Sequence, residues 1–299
     1  MHLHSAQGAP RAVSYPEELR ALVDAELERL RFPAPEPTVG LQEAMRYSLL
    51  AGGKRVRPVL ALATARALGA EPERFLPVAC AIELVHTYSL IHDDLPAMDD
   101  DELRRGQPTS HVKFGEDVAI LAGDGLFAEA MRLACEQPGE PARVLAALRE
   151  LSAATGVDGM VGGQYVDVAV SERDAEGLRS LHTLKTGRLI AASVGVVLTL
   201  EGLSEPETIP FRRFASELGV LFQIVDDILD VTGSADRLGK EHGSDERLGK
   251  LTYVSHFGLE HARELAAESH AKATTALGEA RGETDDLRRV ADYIFTRDE

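Results

Sequence analysis

Two apolar stretches with helical spacing each run into a cluster of aspartates, the clusters lying about 130 residues apart, and this pairing constrains the fold more than any other feature of the chain. The first cluster reads His92-Asp93-Asp94-Leu95-Pro96-Ala97-Met98-Asp99-Asp100-Asp101. The second reads Phe222-Gln223-Ile224-Val225-Asp226-Asp227-Ile228-Leu229-Asp230. Carboxylates repel one another and are costly to gather unless cations hold them. A fold that brings both clusters together across a cavity makes a site for several Mg²⁺ ions. Such a site implies a substrate carrying its own negative charge, most simply a diphosphate.

The remaining pattern is helical. Residues 1–13 lack periodicity and read as a loose lead-in. Ser14-Tyr15-Pro16-Glu17 has the spacing of a capping box, and Leu19, Leu22, Val23, Leu27 and Leu30 then recur with helical period. Further helices are expected over 40–51, 58–69, 75–94, 116–136, 141–155, 157–170, 174–202, 207–231, 255–279 and 284–296. No segment alternates with period two between hairpin turns. With 299 residues, 44% apolar, and no linker or repeat, the chain reads as one all-α domain over 14–299, a helical bundle cored by Ala, Leu and Val. Segments 78–92, 188–200 and 214–229 carry few charges on any face, as helices buried in a large bundle or an oligomer interface do.

A formal net charge of −17 argues against nucleic acid, which requires a basic stripe. It also means that an anionic substrate must be met through recruited metal cations. Cys80 and Cys135 are too few and too far apart to suggest a disulfide framework or a zinc site, which fits a reducing, cytoplasmic setting. The N-terminus lacks the apolar core of a signal peptide, and no apolar run is expected to span a membrane.

On a helix Asp226 and Asp230 share a face one turn apart, with Asp227 beside them, an oxygen platform suited to Mg²⁺. In the first cluster Pro96 disfavours helix at Leu95, so the helix ends near Asp94 and the chain can fold Asp99 back toward Asp93. Arg104-Arg105-Gly106 follows, and guanidinium forks match phosphate oxygens. Gly52-Gly53-Lys54-Arg55-Val56-Arg57-Pro58 reads either as a helix stop and restart with a solvated basic turn or as a loop for a second diphosphate. Gln164, Lys185-Thr186 and Gln223 interrupt apolar stretches, and buried polar groups need partners. With Lys240 and Lys250 they suggest a polar site above an apolar cavity. His92-Asp93 is similar to the dyad of metal-dependent phosphohydrolases, but no other histidine has the spacing to complete one; His86 is the better functional candidate.

These motifs in this order resemble the trans-prenyltransferases of the polyprenyl diphosphate synthase family, and within it the bacterial farnesyl diphosphate synthases. The matching pieces are GGKRVRP at 52–58, HTYSLIHDDLPAMDDDELRRG at 86–106, HVKFGE at 111–116, AGD at 122–124, GGQYVD at 162–167, KTG at 185–187, FQIVDDILD at 222–230, and the lysines at 240 and 250. The resemblance implies an isoprenoid synthase fold of ten or more helices around a deep central cavity, as a homodimer. It implies Mg²⁺, about three ions, with Mn²⁺ as a substitute. Asp93, Asp99 and Asp226 would be direct ligands and Asp94, Asp227 and Asp230 their support. Arg104, Lys185, Lys240, Thr186 and Gln223 would hold the allylic diphosphate. Gly53, Lys54, Arg57, His86 and Arg105 would hold isopentenyl diphosphate, and Gln164 and Lys250 complete the implied binding set.

The expected reaction is the head-to-tail (1′-4) condensation of isopentenyl diphosphate with dimethylallyl or geranyl diphosphate. Chain length would be set by Tyr88 and Ser89, five and four positions before Asp93. An aromatic ring there, with the Pro96-Ala97 insertion, resembles enzymes that stop at farnesyl diphosphate; geranyl and geranylgeranyl diphosphate are the alternatives. One departure is Gly249-Lys250-Leu251-Thr252-Tyr253-Val254, where relatives carry a small polar residue after the lysine and proline after the tyrosine. Arg297 resembles the basic tail that closes over isopentenyl diphosphate, although Asp298 and Glu299 adjoin it. A class I terpene cyclase would replace the second cluster with an Asn/Ser/Glu triad and lack the basic loop. An accessory subunit of a heteromeric synthase would carry damaged aspartate motifs.

Overall fold

The computed structural model describes residues 15–170, 175–232 and 252–297, and within them the all-α expectation holds. The first half contains α1 (Glu17–Arg29), α2 (Val39–Leu49), α3 (Val56–Ala67), α4 (Leu76–Asp93), α5 (Ser110–Phe114), α6 (Glu116–Cys135) and α7 (Pro141–Thr155). α8 (Met160–Ala169), α9 (Ala175–His182), α10 (Arg188–Glu201) and α11 (Glu205–Thr232) follow. α12 (Tyr253–Phe257), α13 (Leu259–Glu279) and α14 (Asp285–Thr296) come last.

α4 sits at the centre because its first turns are apolar on every face and Glu83, its first charged residue, is buried against Arg55. Pro77 lies in the first turn, where its missing N–H costs nothing, and Val78 through Val85 are all buried. α1, α2, α3, α6 and α10 pack around it. α10 is likewise buried from Leu189 to Leu200 and stops at Gly202, whose left-handed conformation caps it. α11 packs along α13 by setting large against small: Phe211, Phe214 and Leu218 on one helix, Ala262, Ala266, Ala273 and Ala276 on the other. Each fully buried Phe of this kind contributes about 1.5–3 kcal/mol.

Several boundaries differ from the sequence expectation. α1 starts at Glu17 with Pro16 at its N-cap and no side-chain cap; Ser14 of the expected capping box lies outside the described residues. The helix expected over 157–170 begins only at Met160, beyond the turn that Gly156 opens. The helix expected over 174–202 contains a π-helical turn at Thr183–Gly187, and 255–279 divides at Gly258 into α12 and α13. A capping box does form, at Thr252 and Ser255. A short antiparallel ladder, β1 (Leu103–Arg104) against β2 (Gln107–Pro108), was not expected. By length and composition Pro72–Asp93 and Glu176–Glu201 do pass for membrane spans, contrary to the sequence reading, but 67% and 61% of their apolar windows are buried inside the bundle.

Candidate active site

At the end of α4 the expected fold-back takes place. Asp94 is the C-cap, and the Asp99 amide donates to the Asp93 carbonyl at 2.9 Å. The half-buried Asp93 carboxylate accepts from Gln164 Nε2 at 2.5 Å. Burial pushes its pKa up to about 6; Lys185 and Arg104 oppose that rise, and Asp99 and Asp94 reinforce it. A carboxylate so placed gains stability from any added cation.

Asp94 faces the other way. Both its oxygens accept from Arg104 Nε at 2.8 Å, and Arg104 Nη2 makes a further bond to Oδ1, so the carboxylate forks the guanidinium. Burial alone would pull Arg104 down; the Asp94 carboxylate outweighs it and the pKa rises. The hairpin explains why adjacent arginines serve different ends. Arg104 lies in β1, and Arg105 and Gly106 form the two-residue turn with positive φ, 53° and 73°. Arg105 therefore points to the loop after α2, where it donates to the Gly52 carbonyl and lies flat on Gly53; a Cβ on Gly53 would stand 2.8 Å from the guanidinium.

Beside this loop lies a concentration of positive charge. Arg57 is buried, its Nη1 is 3.3 Å from His86 Nε2, and its Nε has no hydrogen-bond partner among the described residues. Burial holds the His86 pKa well below its ordinary value, aided by Arg57, so the ring is neutral and accepts. Burial also pushes Arg57 down to about 10, with Arg105 and Arg297 adding repulsion. The Arg57 and Arg297 guanidiniums both lie over the Phe222 ring, at 5.6 and 4.3 Å from its centroid. Lys54 extends over the Tyr293 ring while its carbonyl accepts from the Tyr15 hydroxyl at 2.8 Å. Arg55 is structural: it is buried against Glu83 at 2.7 Å and Asp24 at 3.0 Å, fixing the loop.

The second cluster divides by orientation. Asp226 is exposed and 3.3 Å from Arg297 Nη2. Asp227, expected beside Asp226 and Asp230, is instead buried: its Oδ1 accepts from Gln223 Nε2 at 2.8 Å and its Oδ2 from the Tyr253 amide at 2.7 Å, tying α12 to α11. Gln223 Oε1 in turn accepts from Thr186 Oγ1 at 3.0 Å. Thr186 lies in the π turn, a geometry often found where a helix must present backbone and side chains to a site. Lys185 of the same turn donates to Asp167 at 2.7 Å. α8 packs closely there because Gly163 has no side chain; a Cβ would stand 2.3 Å from the Lys185 nitrogen. Gln164 and Asp167, three apart on α8, thus serve Asp93 and Lys185, and the two clusters are linked through α8, the π turn and Gln223.

Tyr88 is buried, with its ring edge-on to His92 and Phe127, and burial pushes its pKa up to about 12. Ser89 Oγ donates to the His86 carbonyl at 2.8 Å. His92 Nε2 lies 3.0 Å from the Ile120 carbonyl, a helix-to-helix tie rather than half of a metal dyad. Asp167 stands within GGQYVD at 162–167, but neither it nor Phe127 has a role assigned from sequence; the signal for Asp167 is its i,i+3 spacing from Gln164. Among the described residues no three His, Cys, Asp or Glu side chains converge on one point as they stand. Lys240 and Lys250 lie outside the described residues.

Helices of this order, ending in two aspartate clusters around a basic loop, define an isoprenoid synthase fold. The polyprenyl synthetase family model matches residues 39–294, and the chain belongs to that family of prenyl-elongating transferases. A chloroplastic geranylgeranyl pyrophosphate synthase of Capsicum annuum is 46% identical over 269 residues, 88% of this chain and 73% of its own. A farnesyl diphosphate synthase of Geobacillus stearothermophilus is 44% identical over 282 residues, 91% of this chain and 92% of its own. The crystal structure of a geranyltransferase from Helicobacter pylori, complexed with magnesium and isoprenyl diphosphate, superposes with a TM-score of 0.83 at 31% identity, covering 97% of this chain and 98% of that one.

Proposed function

We propose that this chain condenses isopentenyl diphosphate head to tail with dimethylallyl and then geranyl diphosphate, and stops at farnesyl diphosphate. The observation that carries the stopping point is Tyr88, buried five positions before Asp93 with its ring in edge-to-face contact with both His92 and Phe127.

The carboxylate oxygens fit Mg²⁺, a hard cation usually held by a few carboxylates together with substrate phosphates. Asp93, Asp99 and Asp226 would hold about three ions, supported by Asp230. When bound, Mg²⁺ neutralises the allylic diphosphate and makes it a leaving group. Asp94 and Asp227 act instead as positioning carboxylates, for Arg104 and Gln223.

The chain's own residues do the rest. Arg104 and Lys185 bind the allylic diphosphate beside Asp93, both close enough to lower its pKa. Lys54, Arg57 and Arg105 bind the diphosphate of isopentenyl diphosphate, and that anion relieves the mutual repulsion of the arginines. The C1–O bond breaks with its electrons leaving on diphosphate. The Thr186 and Gln223 oxygens, whose protons and amide are already directed into Thr186–Gln223–Asp227, turn lone pairs to the allylic cation. The isopentenyl double bond then forms the new C–C bond, and a proton passes to the released diphosphate.

A homodimer fits the same reading. Ile120, Leu121 and Phe127 are exposed along α6, and Val112 on the adjoining α5 is exposed as well. The unpaired Cys80 and Cys135 suit a reducing cytoplasm. Geranylgeranyl diphosphate as end product is the second reading, favoured by the 46% identity to the Capsicum enzyme. Tyr88→Ala tests the choice: longer products support Tyr88 as the stop, and an unchanged product spectrum contradicts it.

A further inference from the structure

Tyr88 owes its position to a second helix. α4 and α6 cross-link at two rungs one turn apart. At the first, His92 Nε2 lies 3.0 Å from the Ile120 carbonyl and its ring occupies the space over Gly123, where a Cβ would stand 2.1 Å from Nε2. At the second, the Tyr88 and Phe127 rings meet edge to face, with centroids 5.4 Å apart and planes at 74°. Going back four residues on α4 and forward four on α6 keeps the rungs in step, so the helices run antiparallel and the first rung sets the register of the second.

Tyr88 is 8% exposed and Phe127 39%, so Phe127 is the outer ring and Tyr88 the inner one. Phe127 thus packs against the Tyr88 ring from the α6 side. The Tyr88 ring meets His92 edge to face at 5.8 Å as well as Phe127 at 5.4 Å, and His92 is already committed to α6.

We propose that Phe127 is a positioning residue for chain length: it acts through Tyr88, by holding that ring across the path of the prenyl tail. This rests on the reading of Tyr88 as the residue that stops elongation. Phe127 touches neither diphosphate site, but it also lies on the apolar α6 face proposed for the homodimer, so its effect on product length is read in variants that keep the wild-type oligomeric state.

The test compares the products of the full-length wild type, Phe127→Ala, Phe127→Leu, Tyr88→Ala and the Tyr88→Ala/Phe127→Ala double variant, using labelled isopentenyl diphosphate with geranyl diphosphate. Thermal unfolding and size-exclusion chromatography of each establish that it folds and keeps the wild-type oligomeric state; Phe127→Leu keeps the apolar bulk should the alanine variant fail in either. The ratio of C20 to C15 product is expected to rise roughly two- to tenfold in either Phe127 variant, the worth of an aromatic edge contact. The double variant should make the same products as Tyr88→Ala alone, because Phe127 has then lost the ring it acts on. If Tyr88→Ala lengthens the product while Phe127→Leu leaves the ratio at the wild-type value, Phe127 has no such role and the Tyr88 reading survives. If Tyr88→Ala changes nothing, the Tyr88 reading fails and the role of Phe127 fails with it.

Discussion

Asp94 accepts hydrogen bonds from Arg104 on both of its oxygens, so one carboxylate of the first cluster is spent on orienting a guanidinium. Its side chain is 4% exposed and that of Arg104 21%, which makes the pair well shielded. Breaking one side of such a pair costs about 2–5 kcal/mol, much of it from the charge left behind. Asp94→Asn should therefore lower kcat/KM for the allylic substrate by roughly a hundredfold or more. Steady-state kinetics at fixed isopentenyl diphosphate checks this; a change confined to Mg²⁺ affinity would return Asp94 to the metal set.

Arg297 acts as a cation already at the second cluster, 3.3 Å from the exposed Asp226. The Asp226 side chain is 60% exposed although that of Arg297 is 11%, so solvent screens the pair from one side, and the effect of removing Arg297 is modest but has a definite sign. Arg297→Ala should tighten Mg²⁺ binding to the substrate-free protein by about two- to fivefold, and raise KM for isopentenyl diphosphate. Calorimetric titration with Mg²⁺ measures the first effect and initial rates the second.

Gly163 lets α8 lie against the π turn. Its missing Cβ would meet backbone, the Lys185 nitrogen at 2.3 Å and Cα at 2.6 Å, so no rotamer change relieves the clash. Gly163→Ala should cost about 1–3 kcal/mol of stability and displace both Gln164 and Asp167 from their partners. Denaturant unfolding and turnover are expected to fall together.

Asp93 sets a pH dependence in the Mg²⁺-free protein. Its folded pKa of about 6 lies above the ordinary 3.8, so the folded state holds this proton more tightly than the unfolded state. The resulting stability is fully present below pH 3.8 and lost as pH rises through 6. Asp93→Asn removes that loss, and at pH 7.5 it should stabilise the Mg²⁺-free protein by about 1–3 kcal/mol, the gain vanishing near pH 4. Thermal midpoints of both proteins across that range, in chelator, give the comparison.

What the sequence made legible was local. The period of α4 and α11, the exit enforced by Pro96, and the shared face of Asp226 and Asp230 all follow from spacing along one helix. What it hid depends on neighbours far away in sequence. Nothing near Asp227 indicates that its carboxylate turns inward to Gln223 and the Tyr253 amide, and nothing near Tyr88 points to Phe127. Arg55 sits inside the basic loop yet belongs to Glu83 and Asp24, a distinction that composition cannot draw. The π turn at Thr183–Gly187 is equally invisible, since its extra residue shifts the helical phase by about 100° and α10 beyond it is apolar nearly all round, so the shift leaves no mark in the pattern.

The most direct measurement is the end product of the purified protein given Mg²⁺, labelled isopentenyl diphosphate and either dimethylallyl or geranyl diphosphate. The account predicts that label accumulates as the C15 diphosphate and that elongation stops there. Accumulation of the C20 diphosphate from the wild-type protein would contradict the assignment of Tyr88 as the stop, and absence of any elongated product would contradict the reaction itself.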